Sequence, residues 1–193
     1  MGKIVVSEIA SLDGVVEDPT GEEGFRHGGW FNELGANDYR AWAEVGLAEA
    51  LGADVLLMGR RSDAYFGERW PSRTGEWADR LNSLPKYVVS STLEDPVWSN
   101  ATVLAGDVVS EVSKLKQERD GEIVVIASRQ LVRTLMEHDL VDEVRLMVYP
   151  VVLGAGERLF GDAGDKTPLR LVDTRTVGDG LAYMTYEVVR EGS

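Results

Sequence analysis

The chain has 193 residues, 44% hydrophobic and 27% charged, enough for one sizeable core and too ordinary in composition for disorder. Its 33 acidic and 20 basic residues leave a formal net charge of −13, which sets it against nucleic-acid backbones and anionic lipid as partners. Cysteine is absent, which excludes disulfides, thiolate nucleophiles and cysteine-ligated metals.

The N-terminal Met-Gly-Lys-Ile-Val-Val enters an apolar run directly, without the basic and small-residue parts of a secretory signal. Val6 stands where a myristoylation signal requires Ser or Thr, and no apolar run approaches the ~20 residues of a membrane span. The expectation is a single cytoplasmic, unanchored domain over residues 1–193.

Residues 3–9 form a strand-like run that ends at Ser11-Leu12-Asp13-Gly14. A Gly- and acid-rich stretch over residues 17–35 reads as a surface loop, and Phe25, Trp30 and Phe31 within it favour a loop that packs on something. Ala41, Val45, Ala48 and Leu51 then recur at helical steps, with Asn37 or Asp38 as N-cap and Gly52 closing the helix. Residues 55–58 predict a buried strand. Trp77, Leu81 and Leu84 mark a second helix stopped by Pro85, and residues 87–89 and 102–104 predict strands. Asp107 caps a third helix carrying Val108, Val112 and Leu115; residues 123–126 are another apolar run, and residues 130–137 a fourth helix. The last third holds strands over residues 143–152, 169–176 and 181–189 with no helix between them. Strand–helix alternation followed by strands predicts a mixed α/β sheet, parallel early and antiparallel late.

Ligands of open α/β sheets bind beyond the carboxyl ends of the parallel strands. Four such ends are legible: Ser11-Leu12-Asp13-Gly14, Met58-Gly59-Arg60-Arg61-Ser62, Val89-Ser90-Ser91 and Ile126-Ala127-Ser128-Arg129-Gln130. Two have a phosphate-binding logic. Gly59 permits close backbone approach, Arg60 and Arg61 supply charge, Ser62 offers a hydroxyl at a helix start, and Ser90 and Ser91 add small donors. The competing reading makes Arg60 and Arg61 plain surface charges. Gly154-Ala155-Gly156 begins like a dinucleotide fingerprint, but Leu159 stands in place of the third glycine.

These strand ends, in this order, resemble the dihydrofolate-reductase-like superfamily, and more closely the stand-alone bacterial relatives of the RibD C-terminal reductase domain of riboflavin biosynthesis. Leu84-Pro85-Lys86-Tyr87-Val88-Val89-Ser90, His138-Asp139-Leu140-Val141-Asp142-Glu143 and the run from Pro150 through Gly154-Ala155-Gly156 to Phe160 complete the likeness. The resemblance implies a three-layer α/β fold with a mixed, mostly parallel sheet of about eight strands and flanking helices. It implies NADPH, with Arg60, Arg61, Ser90 and Ser91 near the adenosine phosphate. Ala127, Ser128, Arg129 and the first helical positions Gln130 and Leu131 would face the pyrophosphate, and Ile9, Ala10 and Val16 the nicotinamide. It also implies a homodimer acting on a small pyrimidine- or pterin-like molecule. Relatives usually carry glycine in the turn that here reads Ala127-Ser128-Arg129, and glycine alone adopts φ > 0 without cost.

Asp13 and Asp38 are the candidate catalytic carboxylates. Asp13 lies at the expected crevice, and Asp38 opens a helix placed like the one that bears the pterin-binding acid of dihydrofolate reductases. Against these stand an Asx-turn for Asp13 and an N-cap for Asp38. His27 lies in the glycine-rich loop, whose glycines suit a hinge, and His138 near a helix C-terminus suits a dipole contact. The two histidines form no metal-ligand pattern. A non-catalytic nucleotide- or folate-binding protein on the same fold is the alternative function.

Overall fold

The computed structural model describes residues 1–161 and 165–190. Eight strands and five α-helices follow the predicted alternation: β1 (Lys3–Ser11), α1 (Ala36–Gly52), β2 (Ala53–Gly59), α2 (Arg60–Arg69), α3 (Glu76–Ser83), β3 (Lys86–Val89), β4 (Ala101–Leu104), α4 (Val108–Glu118), β5 (Glu122–Ile126), α5 (Arg129–Glu137), β6 (Glu143–Tyr149), β7 (Leu169–Val177) and β8 (Leu181–Val188). They build one eight-stranded sheet in the order β4-β3-β2-β5-β1-β6-β8-β7. The pairs among β1 to β5 are parallel, and β8 is antiparallel to both β6 and β7. Among the described residues no helix is long and apolar enough to cross a membrane.

Two compact units divide the chain: Met1–Ser7 with Gly46–Asp142, and Glu8–Val45 with Glu143–Ser193. The first unit's largest described cluster joins Val5, Leu56, Met58, Val88 and Val124 from its strands to Ala50, Ala78, Leu81 and Trp98. Ala50, not Leu51, is the buried residue at the end of α1, and Leu51 is half exposed. Ala41 and Val45 face a core as the helical period predicts, whereas Ala48 and Leu51 are exposed. Gly46, in mid-helix, is required by Trp77, because a β-carbon at residue 46 would lie 2.3 Å from the indole Cζ2. The strongly polar sequence of α2 hides its helix from a reading of apolar period.

A buried polar network ties the first unit together. Asp63, fully buried in the first turn of α2, accepts the amides of Val97 and Trp98 at 2.7 and 3.1 Å. Lys86, 1% exposed, donates to the carbonyls of Asn82 and Leu84, and its ammonium lies 4.5 Å from the Trp98 ring centre. Desolvation pulls the Lys86 pKa down to about 8 against the opposing pull of the Asp63 charge. The indole N–H of Trp98 closes the network on the Asn82 side chain at 2.8 Å.

The second unit packs Met147, Tyr149, Leu181, Tyr183 and Val177 under Trp30, with Ile9, Phe31, Trp42 and Val45 around them. All the strand members share one sheet face, since Met147 pairs with Tyr183 and Val177 with Leu181. The opposite face carries Leu146, Val148, Ala182 and Met184, all partly exposed, and β7 beside it presents exposed Leu169 and Leu171. Burial alternates over the first half of β8, where Leu181 and Tyr183 are buried and Ala182 and Met184 partly exposed.

Replacing Asp63 by alanine strands two buried amides and uncovers a buried ammonium, so the Asp63→Ala protein is expected to lose about 3 kcal/mol of stability. Urea unfolding followed by circular dichroism measures it, and a loss below ~1 kcal/mol would contradict the network.

Candidate functional site

In the first unit, the ends of β2 and β5 are joined by one hydroxyl. Ser128 Oγ accepts the Gly59 amide at 2.9 Å and lies 2.8 Å from the Ser62 hydroxyl. Ser62 is buried and its hydroxyl faces Ser128, so its role is to hold this junction, not to offer a free donor as expected from sequence. Gly59 has an extended backbone, and a β-carbon there would meet the Ser128 side chain only at 3.8 Å. The glycine is thus not required by the protein's own packing.

The turn before α5 behaves as glycine would. Ala127 and Ser128 take φ of 46° and 65°, two successive left-handed residues that carry a strain glycine would not. Because the Ser128 side chain is spent on Gly59 and Ser62, it does not cap its own helix, and no side-chain cap covers the first amides of α5. Gln130 is exposed at that end. The Leu131 side chain is core, which leaves only its backbone for a ligand.

Arg60 and Arg61 occupy the first turn of α2 and are exposed. Cations are disfavoured at a helix N-terminus. In a chain with 33 acidic residues, none of the described salt bridges involves either arginine. Ser90 Oγ accepts the amides of Thr92 and Leu93, closing the turn after β3, and Ser91 is exposed beside it.

In the second unit, Ile9 and Ala10 lie on β1 and Val16 follows its turn. Asp13 is held on all sides. Ser11 donates to its Oδ1 at 2.7 Å, and the amides of Leu153 and Gly154 donate at 3.1 and 2.9 Å. The Ser11 hydroxyl is the main cause, and the two amides a further one, that hold its pKa down to about 2. At neutral pH Asp13 is a carboxylate with its oxygens occupied, a clamp joining the turn after β1 to the segment after β6. Gly156 closes the same clamp, with φ at 113° and a β-carbon there falling 2.7 Å from Val15. Asp38 lies inside the first turn of α1 and not at its N-cap. Its Oδ1 accepts the amides of Asp179 and Gly180 in the β7–β8 turn. The Gly-rich loop is organised by buried Asp18, which accepts the amides of Glu22, Glu23 and Phe25. His27 is exposed against Phe25, and His138 Nδ1 lies 2.9 Å from the Thr134 carbonyl near the end of α5.

Two further groups escaped the sequence reading. Glu8 sits in β1, where desolvation pushes its pKa up to about 8 against the opposing hydrogen bond from the Ile9 amide. A lone acid inside an apolar run was the available signal. Tyr149, 1% exposed, has a hydroxyl with no hydrogen-bond partner among the described residues. Nothing in the sequence separates it from a core aromatic.

The sequence model of the RibD C-terminal domain matches residues 2–183. The chain belongs to the RibD C-terminal domain family. A Bacillus subtilis protein named uncharacterized protein YwjB is 38% identical over 182 residues, covering 93% of this chain and 94% of that one. The fold is shared with a putative riboflavin biosynthesis protein from Shewanella sp. PV-4, at a TM-score of 0.71, 21% identity, and coverage of 97% and 99% of the two chains. It is shared also with a diaminohydroxyphosphoribosylaminopyrimidine deaminase/5-amino-6-(5-phosphoribosylamino)uracil reductase from Thermotoga maritima, at a TM-score of 0.61 and 13% identity. There the match covers 97% of this chain and 57% of the longer one.

Strain at residue 127 makes Ala127→Gly a stabilising change in this family member. Relief of the left-handed alanine, ~1–2 kcal/mol, exceeds glycine's entropic cost, for a net gain of roughly 0.5–1 kcal/mol in urea unfolding. A lowered unfolding midpoint would refute the strain.

Glu8 yields a pH dependence. Its pKa is higher folded than unfolded, so its contribution to stability is fully present below 4.5 and is lost as pH rises towards about 8. Melting temperature should decline across that window less steeply in Glu8→Gln than in the parent protein. Identical slopes would refute the raised pKa of this half-buried acid.

Proposed function

We propose that this RibD C-terminal family member is an NADPH-dependent reductase of a small heterocyclic molecule, pyrimidine- or pterin-like, related to the uracil reductase activity in the name of its Thermotoga maritima structural neighbour. The observation that carries the reading is the pair of arginines placed against the helix dipole at the start of α2, beside the left-handed Ala127-Ser128 turn. Two cations without acidic partners among the described residues and a helix start without a side-chain cap supply donors that phosphate groups require, and they support a phosphorylated dinucleotide as the ligand.

In this reading Arg60 and Arg61, with Ser90 and Ser91, hold the adenosine phosphate, and the amides from Ala127 through Leu131 receive the pyrophosphate. The side-chain hydroxyls of Ser62 and Ser128 orient these groups without touching the ligand. NADPH, when bound, supplies the hydride. Asp13 fixes the turn that follows Ile9 and Ala10; with a pKa of about 2 it is not the proton source at neutral pH. Asp38 keeps one carboxylate oxygen without a hydrogen bond among the described residues, and that oxygen is the acceptor proposed for a ring N–H. The half-exposed apolar face of β6 and β8 supports a homodimer.

The test is a thermal-shift titration with NADPH and NADH, followed by assays of NADPH oxidation with pyrimidine and pterin substrates. NADPH is expected to raise the melting temperature more than NADH does. Arg60→Ala and Arg61→Ala should each weaken NADPH about 10- to 100-fold, the worth of one charge-assisted phosphate contact, and leave NADH nearly unchanged. No effect of NADPH on melting would defeat the reading. Binding without turnover on any of these substrates would favour a non-catalytic nucleotide-binding protein.

A further inference from the structure

Tyr149 ends β6 on the covered face of the second unit's sheet, inside a shell of aromatic and aliphatic side chains. Trp30 meets its ring edge-on at 5.1 Å between centres, and Phe31 lies at 6.0 Å. Ile9, Val151 and Leu153 belong to the same cluster. A buried hydroxyl without a partner keeps its desolvation penalty, and phenylalanine would fill the same space without it. The fold does satisfy its neighbour: the Trp30 indole N–H donates to the Glu17 carbonyl at 3.0 Å. The Tyr149 hydroxyl is the exception within the shell.

The electrostatics define what the hydroxyl offers. Burial pushes its pKa up, and the nearby Asp38 charge pushes it further, so it keeps its proton throughout the neutral range. It is a hydrogen-bond donor with no acceptor among the described residues, in a water-poor setting where one such bond is stronger than in solvent. Asp38 supplies the opposite capacity, since both turn amides share its Oδ1. The carboxyl of Glu8 is not a rival for this place. It precedes Ile9, which packs in the cluster, and alternation along β1 sends its side chain to the other face. Trp30 and Phe31 ride on one four-residue 3₁₀ turn that begins after Gly29, whose φ is 86°.

We propose that the Tyr149 hydroxyl is a positioning donor that binds a carbonyl oxygen or ring nitrogen of a planar heterocycle held in the Trp30–Phe31 aromatic shell. The assignment rests on the reductase reading only in calling that heterocycle the substrate; as a binding site it stands without it.

Lumazine, a fused pyrimidinedione with ring carbonyls and N–H groups, is the probe, titrated by calorimetry into the parent protein and into Tyr149→Phe. The expected result has three parts. Lumazine binds the parent protein and binds Tyr149→Phe at least ten-fold more weakly, NADPH affinity is the same in both, and the melting temperature of ligand-free Tyr149→Phe equals or exceeds that of the parent. Equal lumazine affinity in the two proteins overturns the proposal, as does the absence of lumazine binding to the parent at millimolar concentration. A lower melting temperature for Tyr149→Phe overturns it too, because the hydroxyl would then have an internal partner. A parent protein that binds lumazine but not NADPH defeats the reductase reading and leaves the role of Tyr149 standing.

Discussion

The hydroxyl of Ser128 holds two strand ends in one arrangement, and the proposed phosphate site depends on it. To reach Gly59 and Ser62, Ser128 adopts a left-handed backbone and gives up capping α5. The same geometry leaves the first amides of α5 without a side-chain cap. The arginines of α2 follow β2 directly, so the contact that fixes Gly59 also fixes where their helix begins. A side chain of the wrong length at residue 128 would release both turns together.

The second unit is organised by a different device. Its net negative charge is not spread evenly over solvent, because several carboxylates are turned inwards onto backbone amides. Asp13 takes Leu153 and Gly154, Asp18 takes three amides of its own loop, and Asp38 takes the β7–β8 turn. Each replaces a stretch of regular structure that the chain lacks at that place. Glycines sit opposite two of these carboxylates because the approach is so close: a β-carbon at Gly28 or Gly178 would lie 2.3 Å from an oxygen of Asp18 or Asp38.

This division explains what was legible in the sequence. Interactions made within a few residues could be read directly: Asp107 was expected to cap α4 and does so, through the Ser110 amide three residues on. The strand order along the chain and the split between a parallel and an antiparallel half were legible for the same reason, since period and connection length are local properties. Asp13 and Asp38 were recognised as special, but their partners lie 140 and 141 residues away. Nothing near them in the sequence distinguishes a clamp from an acid that meets substrate. Ala127 misled in the opposite direction. Its side chain argues against positive φ, yet the pull of Ser128 on the β2 end outweighs a strain of ~1–2 kcal/mol. The polar α2 and the orphan hydroxyl of Tyr149 left no periodic or compositional trace.

The outer face of β6 and β8 bears on how the protein behaves in bulk. Leu146, Val148, Ala182 and Met184 form a flat patch without charge on a molecule whose formal charge is −13. At neutral pH and low salt, long-range repulsion works against pairing of this patch with a second copy, so the proposed homodimer is weakest there. Acidification into the carboxylate range removes that repulsion and leaves the patch unchanged, while sulfate screens charge and strengthens apolar contact together. Colloidal stability is therefore governed by buffer composition as much as by folding, and a neutral, low-sulfate medium is the one in which ligand titrations report on the site alone.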